Sequence, residues 1–314
     1  MYRVVVKRVL ELIPIIICVS FLVYFMMDLA PGNVIDTIGS DYTEEQKAEL
    51  AHELGYDRSV FYRYGLYMKN LLHGDLGTSY IYKEPVMKLY MSRLPATLKL
   101  AFWSVLLALL ISIPLGIYAA LHAGKLSDNL CSVFALFGVS MPRFWLGLML
   151  IILFSLKWKL LPSGTDTEGA KSLILPVVTV ASSLFAIMTR TTRSSMLDVL
   201  SKDYLNTARA KGTSERKVIL KHGLKNALIP IITVFGTQMG ACLAGAVVTE
   251  TVFTWPGIGR LTIDALNQRD TITVTGSILL TTIMVSVLMM IVDILYAFVD
   301  PRIKAMYEQK GKRA

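Results

Sequence analysis

Charge is scarce in this sequence of 314 residues: Asp, Glu, Lys and Arg together make up 18% of it, against about a quarter in an ordinary soluble domain. Hydrophobic residues reach 54%, which excludes a disordered chain and leaves a compact water-soluble enzyme as the poorest fit. Cysteine is nearly as rare. Cys18, Cys131 and Cys242 all sit inside apolar runs, with neither a CxxC pair nor an even set for a disulfide framework, and read as small core residues. His52, His73, His122 and His222 lie in separate segments without HxxxH or HExxH spacing, so no protein-built metal site is expected. A Walker A loop is missing, and ATP is therefore not expected on this chain. Duplicated halves are not evident, and the only biased segment is the basic tail Lys310–Arg313.

What is present is a series of long charge-free runs: Leu12–Met27, Leu100–Leu121, Leu130–Pro142 continued after Arg143 as Phe144–Leu156, Ser172–Thr189, Asn226–Thr249 and Thr271–Val292. At about 20 residues per crossing these make six candidate spans. The first is short, but a helix over Val9–Leu29 crosses with Glu11 and Asp28 snorkelling at its ends. With no small-x-small site after Met27 and five more spans to follow, it is expected to be retained rather than cleaved as a signal peptide. The expected fold is an all-α polytopic membrane protein.

The net charge of +9 would suit a nucleic-acid binder, but its distribution points to membrane topology instead, because basic loops resist translocation. Arg3, Lys7 and Arg8 precede span one, and Lys125 lies between spans two and three. Nine basic residues against three acids fill Arg190–Lys225, and five more basic residues close the chain from Arg302 onward. On the other side Glu250–Thr271 carries only Arg260 and Arg269, with Lys157, Lys159 and Lys171 as mild dissenters. Both termini are expected in the cytoplasm. Ala30–Arg93 carries seven basic and nine acidic residues, and a loop of that length translocates regardless of charge, so it is expected outside.

That external segment has its own helical signals. Thr43-Glu44-Glu45-Gln46 is a capping box with Gly55 placed to close the helix it opens. Val60, Tyr64, Tyr67, Met68 and Leu71 recur at helical spacing before Gly74 and Gly77. A third, surface-lying helix is expected over Pro85–Arg93, with Val86, Leu89 and Tyr90 turned inward. The chain thus divides into residues 1–29 (N-terminal segment and first span), 30–95 (extracytoplasmic helical insertion), 96–300 (core membrane domain with a polar loop at 190–226) and 301–314 (cytoplasmic basic tail).

The polar loop carries the most information. Asp203–Lys217 is too polar to cross a bilayer yet rich in helix formers, and reads as helix, glycine turn, helix. Gly212 is the expected C′ residue, Ser214 the next N-cap, and Glu215 an acid in the first turn of a helix to about His222. Small residues at Thr207, Ala208 and Ala210 allow a partner to approach closely, and Arg209 and Lys211 are available for its acids. Taken alone, a basic loop solvated beside anionic lipid fits as well.

From Tyr204 through Thr207-Ala208-Arg209-Ala210-Lys211-Gly212, and then His222-x-Leu-Lys-Asn-Ala-Leu-Ile-Pro230, the sequence resembles the EAA loop of binding-protein-dependent ABC importer permeases. Asn206 and Thr207 replace the Glu-Ala of the general consensus, in the form typical of the peptide and nickel branch. Leu72-His-Gly-Asp-Leu-Gly77-x-Ser79, Arg93-Leu-Pro-Ala-Thr-Leu98, Gly138-Val-Ser140-Met141-Pro142-x-Phe-Trp145, Glu250-x-Val-Phe-x-Trp255-Pro-Gly-Ile-Gly259 and Asp300-Pro-Arg302 are similar to the B-type permease of dipeptide, oligopeptide and nickel importers. The long segment after span one resembles that subunit rather than its C-type partner.

The resemblance implies a type I ABC importer permease fold and a set of partners. These are a second related permease forming a heterodimer, two ATP-binding subunits holding ATP and Mg, and an extracytoplasmic substrate-binding protein, with lipid around the spans and no nucleic acid. It implies ATPase coupling through Tyr204, Thr207, Ala208, Arg209, Ala210, Lys211 and Gly212. For the pathway or gate the candidates are Ser140, Met141, Pro142, Arg143, Glu250 and Trp255. Pro142 removes a backbone donor in mid-span, which is tolerable only where protein or water satisfies the freed groups. Arg143 fits a watery cavity, a paired acid or a position nearer the interface, since a charge at the bilayer centre costs about 2.5–3.5 kcal/mol on insertion scales. Glu250 and Trp255 either line an external gate or cap the bundle, with Trp255 as an interfacial anchor. Asp293 is expected to snorkel at the end of span six. No catalytic residue is expected in this chain. Its substrate is a dipeptide or oligopeptide or, alternatively, nickel or a metal chelate, and the competing class is an autonomous membrane enzyme or channel.

Overall fold

A computed structural model describes residues 2–39, 42–165 and 169–299. Asp300–Arg302 and the tail Lys310–Arg313 lie outside the described residues, as does the side chain of Asp293. Among the described residues every regular element is helical, as a chain in lipid must satisfy its backbone polar groups within itself. The order is α1 (Tyr2–Leu29), α2 (Val34–Ile38), α3 (Glu44–Glu53), α4 (Val60–Leu72), α5 (Val86–Leu121), α6 (Leu126–Ser140) and α7 (Arg143–Leu150, continued as a π turn to Lys157). There follow α8 (Ala170–Leu200), α9 (Asp203–Ala210), α10 (Glu215–Lys217, with a π turn to Gly223), α11 (Leu224–Gly245), α12 (Val247–Val252), α13 (Ile258–Asn267) and α14 (Thr271–Val299). The protein is an all-α polytopic membrane protein. Five described helical stretches are long and apolar enough to cross a bilayer, and α6 with α7 would make a sixth.

Three elements depart from the sequence reading. The third span is not continuous: α6 ends at Ser140, Met141 and Pro142 are extended (ψ 127° and 130°), and α7 leaves at 93° to its predecessor. A residue before proline is driven out of the α region, and the missing donor at Pro142 completes the break. Second, Pro85–Arg93 is no separate surface helix. From Val86 onward it is the first part of α5, which runs on through Pro95 and Pro114; Val86, Leu89 and Tyr90 are nevertheless buried. Third, α8 extends 11 residues past Thr189, so Arg190 and Arg193 belong to it.

The chain folds as two compact units. One is built on Leu98–Trp255. Its centre is α8, whose most apolar stretch is 72% buried, whereas the corresponding stretch of Glu215–Leu243 is 33% buried. Met196 of α8 packs with Ala120, Ile219 and Ala227 in a fully apolar cluster, and Phe185 meets Phe134 edge-on at 5.8 Å between ring centres. Arg193 clamps Asp128 at the start of α6 through two bonds of 2.6 and 2.7 Å, while the Gly124 amide donates to the same carboxylate at 3.0 Å. Asp128 is buried, and its charge is tolerated because it is paired and bonded.

The other unit is built on Val5–Thr97 and Pro256–Val287. Here the capping box of Thr43 and Gln46 starts α3, and Ser59 caps α4. The α4 face carrying Tyr64 and Tyr67 packs against Tyr24 of α1 with ring centres 5.8 and 5.7 Å apart. Ser20 and Tyr64 share a hydrogen bond of 3.0 Å, and Arg63 pairs with Asp28 while lying 4.6 Å from the Tyr56 ring centre. Burial pushes the Tyr56 hydroxyl up to about 12, so it remains neutral at working pH. At the start of α14 the buried Asp270 accepts from Ser79 Oγ at 2.5 Å, Thr273 Oγ1 at 2.8 Å and the Thr273 amide at 3.2 Å. The loop before α5 is thereby joined to the last long helix.

Candidate functional site

The polar segment after α8 forms a helical hairpin. Lys211 ends α9, and Gly212 takes the left-handed conformation (φ 79°) that glycine adopts without a Cβ penalty. The Gly212 amide donates to Arg209 O at 2.9 Å and the Thr213 amide to Ala208 O at 3.2 Å, which satisfies carbonyls that a free helix end would leave open. Ser214 begins the next helix by its backbone alone, without a side-chain cap. Tyr204, Thr207, Ala210, Lys211 and Gly212 are exposed, while Ala208 and Arg209 are half-buried.

Sequence reasoning missed what holds α9 in place. Leu205 is fully buried and plugs the helix into the body of its unit. Asn226 Nδ2 of α11 donates to the Tyr204 hydroxyl at 2.8 Å. Arg209 is already engaged within the chain: Nε and Nη2 donate to Glu215 at 3.0 and 2.8 Å, and Nη1 donates to Asn206 Oδ1 at 3.0 Å. The Glu215 contact raises the guanidinium's pKa further, so the residue is charged throughout the working range. Its i+6 spacing across a glycine turn was a usable signal; an acid so placed returns beside the first helix.

A second group surrounds the break in α6–α7. Ser140 and Pro142 are exposed, and Met141 and Arg143 half-buried. Ser140 Oγ turns back to Leu136 O at 2.9 Å, leaving the bend itself without a side-chain cap. Arg143 Nε donates to Ser183 Oγ of α8 at 3.0 Å. A neutral hydroxyl leaves the guanidinium's charge in place, which distinguishes this contact from an ion pair.

The third group follows α12. Glu250 and Trp255 are both 0% exposed, so Trp255 is a packed core residue rather than the interfacial anchor the sequence allowed. Lys99 Nζ lies 5.6 Å from its ring centre, within cation–π range. The Trp255 amide donates to Glu250 O at 2.7 Å, and this fold-back places Thr254 at φ 54°, a conformation that a β-branched side chain rarely adopts. Gly147 of α7 lies against Phe253 and Val252, which brings the second and third groups onto neighbouring helices of one unit. The hairpin 203–223 is a separate site.

The all-helical membrane bundle, with its broken span and polar helical hairpin, has a likeness in fold among solved ABC transporter structures. An inward-facing structure of the MetNI methionine ABC transporter matches 68% of this chain and 97% of its own with a TM-score of 0.58 at 16% identity, a likeness of fold. Residues 112–305 match the family described as "Binding-protein-dependent transport system inner membrane component", and residues 1–101 match its N-terminal companion. The chain belongs to this family of transport-system membrane permeases. Among its relatives is the glutathione transport system permease protein GsiC of Escherichia coli (strain K12), 40% identical over 305 residues covering 97% of this chain and 99% of the relative. Another is the dipeptide transport system permease protein DppB of the same strain, 36% identical over an alignment of 336 residues with the same coverage.

Proposed function

We propose that this protein is the permease subunit of an ATP-driven importer for short peptides, including dipeptides, oligopeptides or glutathione-like compounds. The observation that carries the peptide assignment is likeness over nearly the whole length to permeases of dipeptide and glutathione systems. In this assignment it pairs with a related permease to enclose one pathway, two ATPase subunits that bind ATP and Mg dock on the cytoplasmic side, and an extracytoplasmic binding protein delivers substrate. Both chain termini are cytoplasmic, and the 30–95 insertion faces the binding protein.

The exposed hairpin supports the coupling role. A short helix of small residues, standing on a buried leucine and turned by Gly212, is a shape that a groove on an ATPase can grip. Closure of the ATPases pulls the Tyr204–Gly212 helix, and the spans rock as rigid bodies between inward and outward access. Ser140–Arg143 are the pathway element of this scheme, and the Glu250–Trp255 turn, in which Glu250 and Trp255 are buried, supports the helix that follows them through Phe253 against Gly147. Half-buried Arg143, whose Nε donates to the neutral Ser183 hydroxyl, is suited to attract a peptide carboxylate.

The test is reconstitution. Purified with its partner permease, the chain is expected to bring down two ATP-binding subunits and, in proteoliposomes with binding protein and ATP, to accumulate labelled dipeptide. Activity of this chain alone would overturn the assignment in favour of an autonomous channel or enzyme. Titration of the binding protein against short peptides, glutathione and nickel chelates identifies the substrate, and tight binding of nickel chelates alone would replace the peptide assignment.

A further inference from the structure

Arg209 looks at first like a cation offered to a partner's acid, but its surroundings say otherwise. All three guanidinium nitrogens are occupied inside the chain, two by the Glu215 carboxylate and one by Asn206. A fork of this kind would have to be dismantled before the residue met another carboxylate. Glu215 lies beyond the Gly212 turn, at the head of the helical stretch that continues through the π turn Val218–Gly223 into α11. The bond therefore joins the two arms of the hairpin.

We propose that Arg209 is a positioning residue, which with Glu215 staples α9 to the root of α11 so that a pull on α9 is delivered to that helix without slack. This rests on the assignment of α9 as the ATPase-docking element. Two further ties point the same way: Leu205 is buried beneath α9, and Tyr204 is bonded to Asn226 of α11. With these in place, the coupling candidates that stay exposed to a partner are Tyr204, Thr207, Ala210, Lys211 and Gly212. Lys211, exposed at the tip, is a cation that a partner acid can meet while Arg209 stays engaged. Across the Gly212 turn (φ 79°) the Arg209–Glu215 pair ties the two arms through side chains as well as backbone.

The experiment uses the complete transporter in proteoliposomes with binding protein, dipeptide and ATP, reading peptide taken up per ATP hydrolysed and the amount of ATPase retained on the permease. Arg209→Ala and Glu215→Ala are each expected to lower uptake per ATP about two- to fivefold, the range of a single part-exposed ion pair. The double alanine variant should be no worse than the more defective single one, since both remove the same ion pair. Arg209→Glu and Glu215→Arg should each be more defective, and the combined exchange should recover most of the loss. A merely structural role would reduce yield and uptake together without altering the ratio.

If Arg209→Ala releases the ATPase while Glu215→Ala behaves as wild type, and the exchange does not rescue, Arg209 meets the partner and the staple is refuted. Should the reversed-charge chains fail to assemble, the alanine pair and its double variant still decide the matter. Failure of the underlying docking assignment is read separately: bulky replacements of Ala208 and Gly212 would then leave ATPase retention and transport intact.

Discussion

Replacing Asp270 by alanine is expected to destabilise the unit built on Val5–Thr97 and Pro256–Val287 more than any single polar substitution on its surface. The carboxylate is fully buried and accepts three bonds, from Ser79 Oγ at 2.5 Å, Thr273 Oγ1 at 2.8 Å and the Thr273 amide at 3.2 Å. Bonds to a charged acceptor contribute about 1.5–3 kcal/mol each, but they are not additive and the buried charge itself is costly, so the expected net loss is about 3–5 kcal/mol. Ser79→Ala removes one donor and leaves the carboxylate two others, for an expected loss of about 1.5–3 kcal/mol. Because one bond is common to both changes, the double variant should fall short of the sum by at least about 1 kcal/mol.

The measurement is the apparent melting temperature of the detergent-solubilised chain followed by size-exclusion fluorescence, where about 1 kcal/mol corresponds to roughly 2–4 °C for a chain of a few hundred residues. Protease nicking in the 74–85 loop provides an independent readout, because Ser79 holds that loop to the start of α14. Strict additivity of the two substitutions, or an Asp270→Ala shift below about 2 °C, would refute the latch.

Two other substitutions probe the unit built on Leu98–Trp255. A Cβ on Gly164, whose φ is 147°, would lie 1.8 Å from the Phe253 carbonyl oxygen, so Gly164→Ala should sharply reduce recovery of folded protein, and a normal melting profile would show that the segment around Gly164 and Thr165 is not seated on the Glu250–Trp255 turn. Asp128→Ala leaves Arg193 without its carboxylate and should cost about 2–4 kcal/mol, discounted from the fully buried case because Arg193 is 31% exposed. Removing both partners should recover part of that stability, and equal melting temperatures for Asp128→Ala and the double variant would refute the clamp.

Span existence was legible in the sequence because hydrocarbon imposes one rule at every depth. The runs around Leu12–Met27, Leu100–Leu121, Ser172–Thr189 and Thr271–Val292 all fall within single long helices. Helix ends were less legible. The apolar count stops at Thr189, yet α8 continues to Leu200 by burying Thr192, Ser195 and Met196 against its own unit; packing, rather than hydropathy, sets that end. The same cause merged Pro85–Arg93 into α5, where Val86, Leu89 and Tyr90 found a core.

Of the candidate site, the helix, its glycine turn and its small residues were readable from local chemistry, since Gly212 satisfies a conformational need confined to its own turn. Pro142 was visible as a defect, but its consequence was not. Whether a proline kinks or ends a helix depends on what its neighbours pack against, and here the chain turns through 93°.

Sequence alone thus determined that the chain is helical, that it lies in a membrane, and that nine of its 32 basic residues gather in one polar loop, because composition and period report solvent and backbone needs directly. Only the tertiary structure decided that Trp255 and Glu250 are buried, that Arg143 meets Ser183 across 40 residues of chain, and that Arg209 is held by Glu215. Those facts depend on which side chains arrive at the same place, and a charge or ring carries no mark of its future neighbour until the helices have packed.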